Sequence, residues 1–157
     1  MISQTALTIR KLISAALMIA MVGCASQGPS STASSSSSTD QAVAVALQQL
    51  GTPYRYGGAT PSGFDCSGLV FYSYSRAGKV LPRTTATLWS EMRPVSRSQV
   101  QVGDILFFRI SGKMSHVGMY IGNDQFVHAP SSGKVVTIAS LQSDFYSKAL
   151  IRAGRPN

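Results

Sequence analysis

Three side chains of this sequence carry the chemistry of nucleophilic catalysis: Cys66, His116 and His128, the two histidines being the only ones in the chain. Cys66 follows Asp65 at the head of the segment DCSGLVFYSYSRAG, where a capping carboxylate, spaced apolar residues and a closing Gly78 predict a helix. A helix N-terminus carries partial positive charge and unpaired N–H groups. Both stabilise a thiolate, so the expectation at Cys66 is a lowered thiol pKa. The same N–H groups can hold the oxyanion that forms on an attacked carbonyl. A cysteine on its own is more often a small buried hydrophobe, so the case depends on what faces it.

The histidines lie on the two arms of a predicted β-hairpin, HVGMYI and QFVHA, around the turn signal GND. A turn centred between Gly122 and Asn123 places them as near cross-strand neighbours on one face. One imidazole can act as base to the thiol while the other orients it, the part played by a carboxylate or amide in other triads. A metal centre is the competing use of one Cys and two His. It needs three or four ligands at short spacings, and the sequence has no CxxC or HxxxH and no evident carboxylate partner. The reading therefore involves no metal and no cofactor.

The elements that must position these groups read as follows. Apolar residues Ala42, Val43, Ala46, Leu47 and Leu50 repeat at helical spacing behind Asp40 as a cap, with Gly51 as the stop. GTPYRYGGATPSGF is a structured loop rich in Gly and Pro, and a short helix is expected around Thr85–Met92. Strands are expected over 102–108, 116–121, 125–129, 135–138 and 149–153. Helices first and antiparallel strands after define an α+β domain, with the helices packed on a meander of about five strands.

The N-terminal 40 residues do not belong to that domain. A basic pair, Arg10 and Lys11, precedes the apolar run Leu12–Val22, too short for the ~20 apolar residues of a membrane span. This is the pattern of a secretory signal. Its exit, Met21-Val22-Gly23-Cys24, resembles the lipobox of bacterial lipoproteins, with Met21 departing from the usual Leu; the resemblance implies lipidation of Cys24. Residues 25–39, ASQGPSSTASSSSST, contain no large apolar side chain and read as a flexible tether. The expected organisation is a signal peptide at 1–23, a lipidated tether at 24–40 and one catalytic domain at 41–157. The 157 residues carry a net charge of +8, and the part beyond the signal segment carries +6. The basic residues are scattered rather than clustered, which argues against a nucleic-acid partner. A diffuse positive field suits an acidic polymer or an anionic membrane.

The motifs GTPYRYGG, GFDCSGLV, PRTT, VGDILFF and SHVGMYIGNDQFVHA, in that order over about residues 42–155, resemble the NlpC-type cell-wall peptidase family in its Spr-like lipoprotein branch. The resemblance implies a papain-like fold with Cys66 as nucleophile, His116 as base and His128 as the orienting residue. It implies that the Tyr54 hydroxyl lies near the nucleophile and that Asp65 and Ser67 shape the substrate subsite. It marks Gly57, Gly58 and Gly68 as places where backbone passes closely. The implied substrate is the peptidoglycan stem peptide, cut through a thioester acyl-enzyme by a domain expected to be monomeric. With Ala25 and no Asp at the second mature position, the lipid anchor is expected at the periplasmic face of an outer membrane if the host has one. Three alternatives stay open: an amidase or acyltransferase of the same fold on a non-wall substrate, an anchored wall-binding protein without activity, and a redox protein. The last lacks a resolving cysteine, since Cys24 is expected to carry lipid.

Overall fold

The computed structural model describes residues 37–157; the signal segment, Cys24 and nearly all of the Ser-rich tether lie outside the described residues. Helix α1 spans Ser38–Leu47 and is capped by Ser37, whose hydroxyl accepts from the Asp40 N–H while the Asp40 carboxylate accepts from the Ser37 N–H. Asp40 is thus the far half of a capping box rather than the cap itself, and the helix starts three residues before the position the sequence suggests. The Gly/Pro-rich loop contains a small hairpin, β1 (Ala59–Thr60) with β2 (Gly63–Phe64). Helix α2 (Cys66–Arg76) and helix α3 (Thr85–Glu91) follow where expected.

The sheet has six strands, not five, and is not a simple meander. Its strands are β3 (Arg93–Val95), β4 (Ile105–Ile110), β5 (Lys113–Gly122), β6 (Gln125–His128), β7 (Thr137–Ser140) and β8 (Leu150–Arg155). The spatial order is β3-β8-β4-β5-β6-β7 with every pairing antiparallel. β4 to β7 form the expected meander; β8 returns to lie between β3 and β4. Strand β3, sequence RPV, escaped the pattern because two of its three residues are exposed and one is proline. A fourth helix, α4 (Asp144–Ala149), just before β8, is a single short run too brief for a periodic signal. The expected strand start at Val102 is instead a turn: Gly103 has φ +89°, and a Cβ there would lie 2.0 Å from the Thr39 methyl of α1.

β4 is buried on both faces, which explains its unbroken apolar run ILFF. Ile105 and Phe107 face α1–α3 and pack with Leu69, Val70, Tyr74 and Leu88. Leu106 and Phe108 face the other way into a second cluster with Phe126, Leu141 and Ala149. β8 is locked in place by a two-pronged ion pair just ahead of β4: Arg155 donates to both Asp104 carboxylate oxygens at 2.7 Å, and Asp104 is buried. Among the described residues, no helix is long and apolar enough to cross a membrane.

Candidate active site

Cys66 opens α2. Its predecessor Asp65 caps the helix, accepting from the Gly68 N–H at 2.6 Å. The capping carboxylate is itself held by Arg83, which reaches from just before α3. Arg83 Nη1 donates to Oδ1 at 2.9 Å and Nη2 to Oδ2 at 2.8 Å; Nη2 also donates to the Gly58 carbonyl and Nη1 to the Ser67 hydroxyl. The Gly57 N–H adds a further bond to Oδ2. Burial alone raises the Asp65 pKa, but the bonds from Arg83 and Gly68 outweigh it and hold the carboxyl below the usual carboxylate range.

The close packing expected at the glycines holds at two of the three. A Cβ on Gly68 would lie 1.9 Å from the Gly58 carbonyl oxygen, and one on Gly58 would lie 2.4 Å from the Gly63 carbonyl oxygen. Gly57 meets open space; it is glycine for its backbone, at φ +74°.

The thiol lies against the edge of β5. β5 pairs with β6 only from Met119 onward, so the backbone at Ser115–Val117 is left to meet Cys66. The sulfur donates toward the Ser115 carbonyl at 3.9 Å, receives the Val117 N–H, and lies 3.8 Å from the Thr85 hydroxyl. The expected lowering of the thiol pKa is reversed. Burial is the largest effect and pushes the Cys66 thiol up; the Val117 N–H, the Thr85 hydroxyl and the Ser67 N–H offset part of it, and the Asp65 charge adds to the rise. The helix start supplies donors, but not enough to outweigh a half-buried, poorly solvated position.

His116 and His128 meet as the hairpin reading requires. His116 Nε2 and His128 Nδ1 are 2.8 Å apart, with ring centroids 5.0 Å apart and nearly perpendicular. The turn is displaced from the expected centre: Asn123 and Asp124 both adopt positive φ, 52° and 54°, a two-residue loop of the primed class. Met119 opposes Val127, so His128 falls beside Gly118 and His116 is its diagonal neighbour. Diagonal pairs are ~7–8 Å apart at the backbone, within reach of ring side chains. Gly118 makes the arrangement possible, since a Cβ there would lie 2.4 Å from the Phe126 ring packed against His128. Both histidines are buried. Burial lowers the His116 pKa to about 4; burial, then the charges of His116 and Lys134, lower that of His128 to about 3. Each imidazole is therefore neutral at pH 7, and a single proton lies between Nε2 and Nδ1.

A cleft of about 470 Å³ opens over the sulfur, lined by Tyr54, Tyr56, Asp65, Ser67, Arg83 and Thr85 among others. Its wall is rich in hydroxyl groups. Tyr54, Asp65 and Ser67, named in the sequence reading, all line it. The Tyr54 pKa is raised by burial and by the neighbouring Cys66, Asp65 and Tyr56. Arg83, Thr85 and the β5 edge had no role in the sequence reading. Arg83 stands in the quoted PRTT motif, but its partner Asp65 is 18 residues away, and nothing local signals the pairing. Among the described residues, no cluster of His, Cys, Asp and Glu is arranged to hold a metal ion.

Helices α1–α3 packed on one face of an antiparallel sheet, with a cysteine at a helix start lying against the strand that carries His116, make this a papain-like α+β fold. Residues 51–155 match the NlpC/P60 family, and the chain belongs to it. It is 40% identical over 123 residues to the murein DD-endopeptidase MepH of Escherichia coli, covering 74% of this chain and 45% of that protein. It is 42% identical over 115 residues to the probable peptidoglycan endopeptidase LytE of Bacillus subtilis, covering 72% and 33%. A solved NlpC/P60 family protein from Bacillus cereus superposes with a TM-score of 0.70 at 31% identity, covering 74% of this chain and 39% of that one. The chain thus spans less than half the length of these relatives.

Proposed function

We propose that this protein is a peptidoglycan endopeptidase that hydrolyses amide bonds in murein stem peptides or cross-links, with Cys66 as nucleophile, His116 as base and His128 as the residue that orients it. The observation that carries the reading is the 2.8 Å bond between His116 Nε2 and His128 Nδ1 on the strand that lies against the sulfur. With the shared proton on His116 Nε2, Nδ1 of His116 is an acceptor for the thiol proton and His128 fixes the ring plane. His116 Nδ1 takes the proton from Sγ as sulfur attacks the amide carbon, and returns it to the departing amine, leaving a thioester. Water, activated by the same imidazole, releases the acid. Because thiol and imidazole both rest neutral, His116 acts as a general base during attack rather than as the cation of a standing ion pair.

The family and the endopeptidase activities for which MepH and LytE are named support this substrate class. Tyr54 offers a hydroxyl to the cleft, while the Ser67 hydroxyl is held between Asp65, to which it donates, and Arg83, from which it accepts. Asp65, already committed to Arg83, shapes the cleft by holding Ser67 and the helix start. Lipidation at Cys24 would then tether the monomeric domain to the envelope membrane, at the periplasmic face of the outer membrane in a host with two membranes.

Mass spectrometry of sacculi treated with the protein tests the reading. Wild type should release cleaved stem peptides, and Cys66→Ala and Cys66→Ser should release none while remaining folded. Wild-type cleavage by Cys66→Ala would remove the nucleophile assignment. Intact muropeptides after wild-type digestion would remove the substrate and leave the acyltransferase or non-wall amidase reading. A fatty-acid probe should label the wild-type protein and not Cys24→Ser; equal labelling would remove the anchor.

A further inference from the structure

Thr84 and Thr85 stand side by side at the start of α3, and their hydroxyls do different things. Thr84 caps the helix: its Oγ1 accepts from the Thr87 N–H at 3.2 Å and bonds the Thr87 hydroxyl at 2.8 Å. The Thr85 hydroxyl takes no part in the cap; among the described residues it bonds the sulfur of Cys66, at 3.8 Å. The side chain is half-buried in the cleft wall. Its position is fixed from the far end of the short helix. Trp89 packs edge-on to Phe107 at 5.3 Å, and the Arg152 guanidinium lies 3.7 Å over the Trp89 ring while also bonding the Trp89 carbonyl. The Cys66 proton is directed at the Ser115 carbonyl. That leaves sulfur lone pairs for the Thr85 O–H and the Val117 N–H.

We propose that Thr85 is a further catalytic residue: its hydroxyl donates a hydrogen bond to the Cys66 sulfur and strengthens it as negative charge develops there. The proposal rests on Cys66 being the nucleophile. The proton of Thr85 is not transferred; it stays on Oγ1 while the Sγ proton moves to His116 Nδ1 and the new S–C bond forms. The sulfur is poorly solvated, so a donor already in place replaces the water that would otherwise stabilise the thiolate. When sulfur leaves the acyl carbon in the second half-reaction, the same donor meets the returning charge.

Thr85→Val keeps the β-branched shape and removes the donor; Thr85→Ser keeps the donor and removes a methyl group. For a single hydrogen bond to a charged atom, Thr85→Val should lower kcat by about ten- to a hundred-fold with little change in KM. Its iodoacetamide alkylation profile should move to higher pH. Thr85→Ser should hold kcat and the alkylation profile close to wild type. Equal thermal melting of the variants separates these effects from misfolding. A wild-type alkylation profile in Thr85→Val overturns the proposal, even if activity falls, because the hydroxyl would then serve the substrate and not the sulfur. Equal losses in Val and Ser variants overturn it too. Cys66→Ala, assayed alongside, reports separately on the nucleophile: cleavage by that variant would sink the parent reading whatever Thr85 does.

Discussion

At the scale of single residues, two neutral histidines sharing one proton explain more than either does alone. On the proposed reading His116 supplies the basic nitrogen, and His128 decides which nitrogen that is. Loss of the base removes proton transfer, worth ~10²–10⁴-fold, whereas His128→Gln leaves a base that is present but free to turn. His128→Gln should therefore retain more activity than His116→Gln, and the double variant should be no worse than His116→Gln. The acid limb of kcat/KM should lie well below the ordinary imidazole value of 6.5, close to the pKa of about 4 that burial gives His116. An acid limb near 6.5, or multiplicative losses in the double variant, would disprove the arrangement. The pair was legible in the sequence because strand periodicity and a turn signal fix register to within a residue. The thiol's raised pKa was not. A helix start is visible in sequence, but the desolvation that overrides it comes from β5 and α3, distant in the chain.

At the scale of elements, the site depends on how closely α2 approaches the loop before it. Gly68, in the first turn of α2, lies where any Cβ would strike the Gly58 carbonyl. Gly68→Ala should destabilise the domain by ~1–3 kcal/mol through overpacking and should also lower activity, since the shift falls on the turn that carries Cys66. Gly57→Ala meets no atom and should cost only the ~1–2 kcal/mol of a left-handed residue. Urea midpoints for the two variants check this, and a wild-type midpoint for Gly68→Ala would disprove the packing argument. Helices α1 to α3 and the β4–β7 meander were readable from capping residues and from periods of 3.6 and 2. β3 and the place of β8 were not, because strand order is set by which edge remains free after the meander forms. That is a property of the assembled sheet, and no local pattern in RPV or LIRAGR records it.

At the scale of the whole molecule, burying two imidazoles links activity to acid tolerance. In the unfolded chain a histidine titrates near 6.5; in the fold the two titrate at about 4 and about 3. Above 6.5 both states are neutral and the histidines do not affect the pH dependence of stability. As pH falls through 6.5 the unfolded chain takes up protons that the folded one refuses, so stability declines until pH reaches the folded values. Asp65, with its pKa held low by Arg83, adds a loss of the same sign at lower pH. Urea midpoints measured from pH 7 to 4 should fall steadily in wild type and less steeply in His128→Gln; equal slopes would show that the imidazoles are not the source. The position of β8 has a different consequence, in the order of synthesis. β8 is the last strand of the sheet to be made, yet it lies between β3 and β4, and Arg155 within it neutralises the buried Asp104. A nascent chain that has emerged only as far as His128 already holds all three groups of the proposed triad, but lacks the strand that pairs with β4 on one side and the Arg155 that bonds Asp104. On the proposed reading, competence is therefore expected only once Leu150–Arg155 have been made, and a chain ended before Leu150 should fail to cleave.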